Sequence, residues 1–264
     1  MKCTAPITIQ NPETGNLTLV CCGRCRGCRL RRKQSWVGRL RLELMQSETA
    51  RFLTLTYAQN PGELQKEDLQ LFLKRYRYHY GSFRYFAVGE YGGRTGRGHW
   101  HLIMFNQKPE TMGHWKNNQA WAHGYSYDGN VTVNAMAYVA GYCLKKPDPY
   151  GYPTQTYQSL KPGIGFKSIY QMGKSAARHG LYEWPTHYLI SGKKYPLSSG
   201  ALVAFQKIYL QYGGVPPAKS TPDQRHLEAV SVLTNWGSRI QSEAAAKQLW
   251  HRENTDVWAS PSNR

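Results

Sequence analysis

Gly98-His99-Trp100-His101-Leu102-Ile103-Met104-Phe105 sets two histidines around a large apolar residue at the head of a hydrophobic run. The alternation reads as a β-strand. Successive side chains of a strand leave opposite faces, so His99 and His101 share one face while Trp100 turns to the packed side. Two imidazoles on a rigid strand can grip one divalent ion, with a carboxylate from a neighbouring strand completing a facial set that leaves positions open for substrate. Glu90 is the candidate carboxylate. It ends an expected strand from Phe83 to Glu90, and the glycine-rich link Tyr91-Gly92-Gly93-Arg94-Thr95-Gly96-Arg97-Gly98 returns directly into the histidine strand, as a hairpin does. The competing reading is a chance pair of solvent-facing histidines.

Working outward, Phe52-Leu53-Thr54-Leu55-Thr56-Tyr57 alternates apolar and β-branched residues and is expected to be a strand ended by the turn at Asn60-Pro61-Gly62. Lys66 to His79 carries Leu69, Phe72, Leu73 and Tyr76 at helical spacing. A strand, a helix and a hairpin in that order predict an α+β fold, a central antiparallel sheet with helices packed on one face. A further short strand is expected near Tyr125 to Val133. Asn134 to Lys146 then reads as a helix on which Asn134, Tyr138, Tyr142 and Lys145 share a face, with Met136, Val139, Ala140 and Cys143 placed to pack and Pro147 ending it. The alternative for that face is a pair of core-edge tyrosines beside a solvated lysine end.

Upstream, Cys22-Gly23-Arg24-Cys25-Arg26-Gly27-Cys28 is a doubled C-x-x-C preceded by Cys21 and Cys3. Turns that aim several thiolates inward suit tetrahedral Zn2+ in a closed structural site, and the preferred set is Cys3, Cys22, Cys25 and Cys28 with Cys21 as the spare. A reduced, metal-free cysteine cluster is the alternative. From Arg29 to about Glu48 the pattern is helical, with Leu30, Trp36, Val37, Leu40 and Leu44 as an apolar stripe among Arg31, Arg32, Lys33, Arg39 and Arg41. That helix offers a basic face to solvent or to phosphates.

After residue 150 the patterns weaken. Lys167 to Arg178 is expected as a basic helix, His187 to Tyr195 as a strand and Ser199 to Tyr212 as a helix. Beyond a proline-rich linker, Asp223 to Asn254 reads as a longer helical segment, and Ala259 to Arg264 as a disordered end. The organisation expected is a cysteine-rich module with its basic helix over 1–50, a sheet core over 51–175 and a mostly helical extension over 176–264.

The 264 residues carry a formal net charge of +18 and a sequence pI near 9.7. So large an excess of Lys and Arg implies a polyanionic partner, because each neutralised phosphate releases counterions. The 19 tyrosines and 8 tryptophans interleaved with cations suit single-stranded nucleic acid, whose bases stack on rings beside a positive groove, although spacing alone singles out none of them. No run approaches the roughly 18 apolar residues of a membrane span, and Met1-Lys2-Cys3-Thr4 opens no secretion signal. The expectation is a cytosolic protein without membrane attachment, whose six cysteines are free or metal-bound rather than disulfide-paired.

Taken in order, Cys22-Gly-Arg-Cys-Arg-Gly-Cys28, Phe52-Leu-Thr-Leu-Thr-Tyr57, Ala87-Val-Gly-Glu-Tyr-Gly-Gly93, His99-Trp-His101 and Tyr138-Val-Ala-Gly-Tyr-Cys-Leu-Lys145 resemble the HUH endonucleases. Among them the set is most similar to the rolling-circle replication initiators of gokushovirus-type Microviridae bacteriophages, over roughly residues 1 to 175. The resemblance implies a single-strand DNA nickase and ligase acting at a phage origin in the cytoplasm of the bacterial host, alongside host helicase and polymerase. It assigns Tyr138 and Tyr142 as paired nucleophiles, Lys145 as the lysine that follows them, and His99, His101 and Glu90 as ligands of Mg2+ or Mn2+. Cations expected along the DNA are Arg29, Arg31, Arg32, Lys33, Arg94, Arg97, Lys146 and Lys167. Trp100 is bulkier than the family's usual central residue, which implies tighter packing behind the histidines. Two readings compete with the initiator: a non-enzymatic zinc-containing nucleic-acid binder, and a relaxase or transposase of the same superfamily.

Overall fold

Alternation of buried and polar positions dictates the sheet, and the computed structural model describes it through residues 3–10, 15, 17–93, 95–107, 118–142, 152 and 155–217. The chain divides into two compact units, Met1–Ile164 and Gly165–Arg264.

In the first unit, a two-stranded ribbon of β1 (Ile7–Gln10) and β2 (Leu17–Val20) leads into α1 (Arg26–Met45), then β3 (Ala50–Tyr57), α2 (Lys66–Tyr80), β4 (Arg84–Tyr91), β5 (Gly98–Phe105), β6 (Gly124–Asn130), α3 (Val133–Tyr142) and β7 (Gln155–Gln158). Five of these strands form one antiparallel sheet in the order β6-β3-β5-β4-β7. The histidine strand β5 is therefore central. The hairpin to β4 forms as the glycine-rich link predicts, with Tyr91 opposite Gly98 and Glu90 opposite His99.

One face of the sheet is dry. Leu53, Leu55, Trp100, Leu102 and Met104 join Leu69, Phe72, Leu73 and Tyr76 of α2 in a single apolar cluster. Trp100 is fully buried, and the room for it comes from Gly89 directly opposite on β4: a Cβ there would stand 2.9 Å from the indole and 2.8 Å from Leu64. This is the tight packing that the bulky central residue implies. The indole N–H donates to Tyr57 Oη at 3.2 Å, and that hydroxyl donates to Asp68 Oδ2 at 2.9 Å, so the polar atoms of this core are paired.

The expectation of helices on one face is corrected by the other side of the sheet. Trp36 of α1 packs on Phe86 of β4 with ring centroids 4.8 Å apart, and the tyrosines of α3 lie against His101. The physical reason is in β5 itself. After His101 the run Leu102-Ile103-Met104-Phe105 is apolar at every position, as a strand covered on both sides requires. α1 is held down by Arg84, which pairs with buried Glu43 and also donates to the Gly163 carbonyl at 3.0 Å.

In the second unit, α4 (Phe166–His179), β8 (His187–Ile190), β9 (Lys193–Pro196) and α5 (Ser199–Gln211) follow in order. The single strand expected over His187 to Tyr195 is a hairpin, turned at Ser191 (φ 51°) and Gly192 (φ 68°). Two successive positive φ values are what a two-residue hairpin loop needs. No helix among the described residues is long and apolar enough to cross a membrane. The expected helix over Asp223 to Asn254 and the end from Ala259 lie outside the described residues, as do Arg94, Cys143, Lys145 and Lys146.

Candidate active site

Because antiparallel partners share a face, the register itself assembles the site. Glu90 and His99 face each other across β4 and β5, His101 stands one pair further on, and Thr56 and Thr54 flank the histidines from β3. His101 Nε2 lies 3.1 Å from both His99 Nε2 and Glu90 Oε2, and His99 Nε2 lies 3.4 Å from the same carboxylate oxygen. Three donors around one ion at about 2.1 Å would be separated by about 3.0 Å at right angles and about 3.4 Å at tetrahedral angles. The triangle fits a facial metal set. Glu90 and His101 are 8% and 6% exposed, so the set sits at the floor of the face rather than in open solvent.

The nitrogens turned away from the triangle fix its chemistry. His99 Nδ1 lies 3.2 Å from the carbonyl of Arg97, which can only accept, so the proton sits on Nδ1 and Nε2 keeps its lone pair. His101 Nδ1 lies 3.0 Å from Thr54 Oγ1, which serves the second ring in the same way. Thr54 is a site residue the sequence reading left inside a strand. Its signal was available: the alternation that puts His99 and His101 on one face puts Thr54 and Thr56 there too.

α3 delivers the tyrosines. Thr132 Oγ1 accepts the N–H of Ala135 at 3.0 Å, the local bond of a capped helix start. Met136, Val139 and Ala140 bury the packing side. Tyr138 is half exposed, and its hydroxyl donates to Glu90 Oε2 at 3.4 Å. Tyr142 is almost fully buried and stacks on His101, centroids 5.8 Å apart at 22°. The two phenol rings meet edge to face at 4.7 Å. Burial, then the hydrogen bonds and negative charge of Glu90 and Tyr138, push the Tyr142 phenol well above its usual value of about 10. One carboxylate oxygen thus touches both imidazoles and the Tyr138 hydroxyl.

The cysteines gather separately. Cys3, Cys22, Cys25 and Cys28 bring their sulfurs within 4.8 Å of one another, with Cys3 to Cys22 at 3.6 Å, Cys3 to Cys25 at 3.9 Å and Cys22 to Cys28 at 4.0 Å. Thiolates at about 2.3 Å around a tetrahedral Zn2+ would lie about 3.8 Å apart, so this donor set fits. Cys25 caps α1 by accepting the N–H of Cys28. Backbone N–H groups, that of Thr4 foremost and then that of Cys28, lower its thiol to about 5, while burial pushes Cys28 up to about 12. Exposed Cys21 stands outside the set, beside Arg31 at 3.7 Å.

The cations expected along DNA are scattered. Arg29, Arg31, Arg32 and Lys33 lie on the first two turns of α1, and Lys33 Nζ reaches α3, 3.4 Å from where a Cβ on Gly141 would stand. Arg97 is exposed beside His99 and donates to the Ala58 carbonyl at 2.7 Å. Lys167 is exposed on α4 in the second unit.

Residues 50–147 match the model of the family described as Replication-associated protein ORF2. The chain is 31% identical over 194 residues to Replication-associated protein VP4 of Bdellovibrio phage phiMH2K, covering 62% of each protein. It is 29% identical over 150 residues to Replication-associated protein ORF4 of Chlamydia phage 1, covering 47% of this chain and 38% of that one. A third relative, Replication-associated protein ORF2 of Spiroplasma virus 4, is 29% identical over 154 residues, covering 47% of this chain and 48% of its own. The matched part is therefore less than two thirds of the length of each relative. No solved structure matches.

Proposed function

We propose, from the premise that this chain belongs to the phage replication-associated proteins of the ORF2 family, that it is a metal-dependent single-strand DNA endonuclease and ligase that starts and ends rolling-circle replication. The observation that carries the reading is Glu90 Oε2, shared at 3.1 to 3.4 Å by His101, His99 and Tyr138. A nucleophile, a metal-ligating set and an open sheet face meet at one atom.

Tyr138, the more exposed of the pair, attacks the phosphorus of a single strand; its Oη–P bond forms as the P–O3′ bond breaks, leaving a 5′-phosphotyrosine and a free 3′-OH. Glu90, His99 and His101 would hold Mg2+ or Mn2+, which supplies Lewis-acid stabilisation of charge on the phosphate. His99 and His101 keep their Nε2 lone pairs toward that position through the Arg97 carbonyl and Thr54. Tyr142 stays protonated beneath, in reserve for a second cut at the regenerated origin. The freed 3′-OH then reverses the first linkage and closes a circle without ATP, because the phosphotyrosine bond preserves the energy. Lys145, which follows Tyr142 in the chain, is assigned to balance charge on the phenols. Arg29, Arg31, Arg32, Lys33, Arg94, Arg97, Lys146 and Lys167 are proposed backbone contacts, with residues 51–175 as the nuclease core. The setting is the host cell, with host helicase and polymerase as partners.

The test incubates the protein with labelled viral single strand and Mn2+ and resolves covalent adduct on a denaturing gel. Wild type forms adduct and the double variant Tyr138→Phe, Tyr142→Phe forms none; adduct at wild-type yield in the double variant overturns the assignment. The cysteine set is assigned to structural Zn2+. A chelator should raise amide exchange over residues 1–50 and leave β3 to β5 protected; uniform loss of protection would contradict that separation.

A further inference from the structure

Edge strand β6 reads Gly124-Tyr125-Ser126-Tyr127-Asp128-Gly129-Asn130, and its two sides are built differently. On one side Ser126 is held through both its N–H and its hydroxyl by Asn118 Oδ1, at 2.8 and 2.7 Å. Asp128 pairs with Arg51 at 2.8 Å, and Arg51 also donates to Asn130 at 3.0 Å. On the other side Tyr125 and Tyr127 are 71% and 64% exposed.

That exposed side is the histidine face. Across the sheet the register runs Glu90, His99, Thr56, Tyr125, and on the next rung Val88, His101, Thr54, Tyr127. Strands stand about 4.8 Å apart, so β6 lies about 10 Å from β5, with only threonines between the rings and the histidines. Gly129 follows Tyr127 on the same side, and a Cβ there would stand 3.3 Å from the Tyr127 ring. The ring leans over the glycine along the strand and shows a flat side outward. A strand clamped from behind, with rings in front, is a preorganised surface. Its occupant must offer flat π-faces and negative charge beside a cleavage position, on a protein of net charge +18.

We propose that Tyr125 and Tyr127 are a stacking platform for the bases of single-stranded DNA next to the phosphate presented to Glu90, His99 and His101. The inference rests on the nickase reading for the identity of the strand. Stacking on such rings tolerates any base, so the platform positions the strand without reading its sequence. It is distinct from the lysines and arginines, which meet the phosphates.

The experiment measures binding of fluorescein-labelled oligothymidylate by the full chain, together with fluorescence of 2-aminopurine scanned through the same oligonucleotide. Three double variants are compared: Tyr125→Thr/Tyr127→Thr, which keeps strand propensity without rings; Tyr125→Leu/Tyr127→Leu, which keeps apolar bulk; and Tyr125→Phe/Tyr127→Phe, which keeps the rings. The Thr and Leu pairs should weaken binding by about fivefold to a hundredfold and abolish 2-aminopurine quenching, while the Phe pair stays within about twofold. The dependence of affinity on salt should keep its slope, since no cation is removed. Unchanged affinity and quenching in the Thr and Leu pairs, with covalent adduct still forming in wild type, overturns the platform and leaves the nickase standing. Weakened binding in those pairs, with no adduct from wild type, keeps the platform and removes the phosphotyrosine chemistry.

Discussion

The two faces of the central sheet differ by one residue of register and by everything else. On the α2 face, Leu55, Trp100 and Leu102 are completely buried and pack against a helix. On the opposite face, His99, His101, Thr54 and Thr56 alternate with those same residues, and the helix above brings phenols instead of aliphatics. A strand has period two, so a single segment can anchor a core and a metal set without compromise between them. The comparison teaches that rigidity for the histidines is supplied from behind, by Trp100 seated over Gly89.

The sharpest way to break this division is to change neighbours on β5. Trp100→Ala should cost about 3–5 kcal/mol in urea unfolding, because it leaves a cavity under the sheet. His101→Ala, next along the chain, should lower the adduct rate on the order of a thousandfold, since the charge stabilisation at the phosphate is lost. Its stability should change by only about 1 kcal/mol. If both variants lost stability equally, the faces would not be separable.

A smaller pair repeats the test one shell out. Gly89→Ala forces a methyl against the indole and Leu64, and should destabilise by about 1–3 kcal/mol in the same unfolding experiment. Thr54→Val removes the partner of His101 Nδ1 and should weaken Mn2+ binding, read by calorimetry, about tenfold to a hundredfold with little change in stability.

The smallest effect is a titration. The Tyr142 phenol is raised in the folded chain, first by burial and then by Glu90, so its neutral form favours folding. Its contribution is fully present below the unfolded value of about 10 and is lost as pH rises through the higher folded value. Tyrosinate absorbance should show a late-titrating phenol that disappears in Tyr142→Phe. Mn2+ should draw that phenol downward by neutralising Glu90; a titration indifferent to Mn2+ would detach Tyr142 from the histidine site.

Much of the comparison was legible in the chain. The alternation around His99 and His101, the glycine-rich return from Glu90, and the four-residue spacing of Tyr138 and Tyr142 each carry a local periodicity, and each element forms close to its expected span. The doubled C-x-x-C likewise gathers with Cys3 as its spacing suggests. What was illegible depended on pairing at a distance. β7, Gln155-Thr-Tyr-Gln, is too polar and short to announce a strand, and exists because it lies against β4. The exposed β1–β2 ribbon has the same character. The Ser191-Gly192 turn hid within an otherwise strand-like run. Thr54, Tyr125 and Tyr127 join the histidine face only once the register of β3 is fixed on both sides.

The central claim is that Glu90, His99 and His101 share one site with the α3 phenols. Digesting the covalent adduct formed on single-stranded DNA with Mn2+, and locating the nucleotide by mass spectrometry, tests it most directly. The account predicts a nucleotide on Tyr138 or Tyr142, absent when the metal is chelated and absent from the His99→Ala/His101→Ala variant. A nucleotide on any other residue, or one that forms equally well without those histidines, would contradict it.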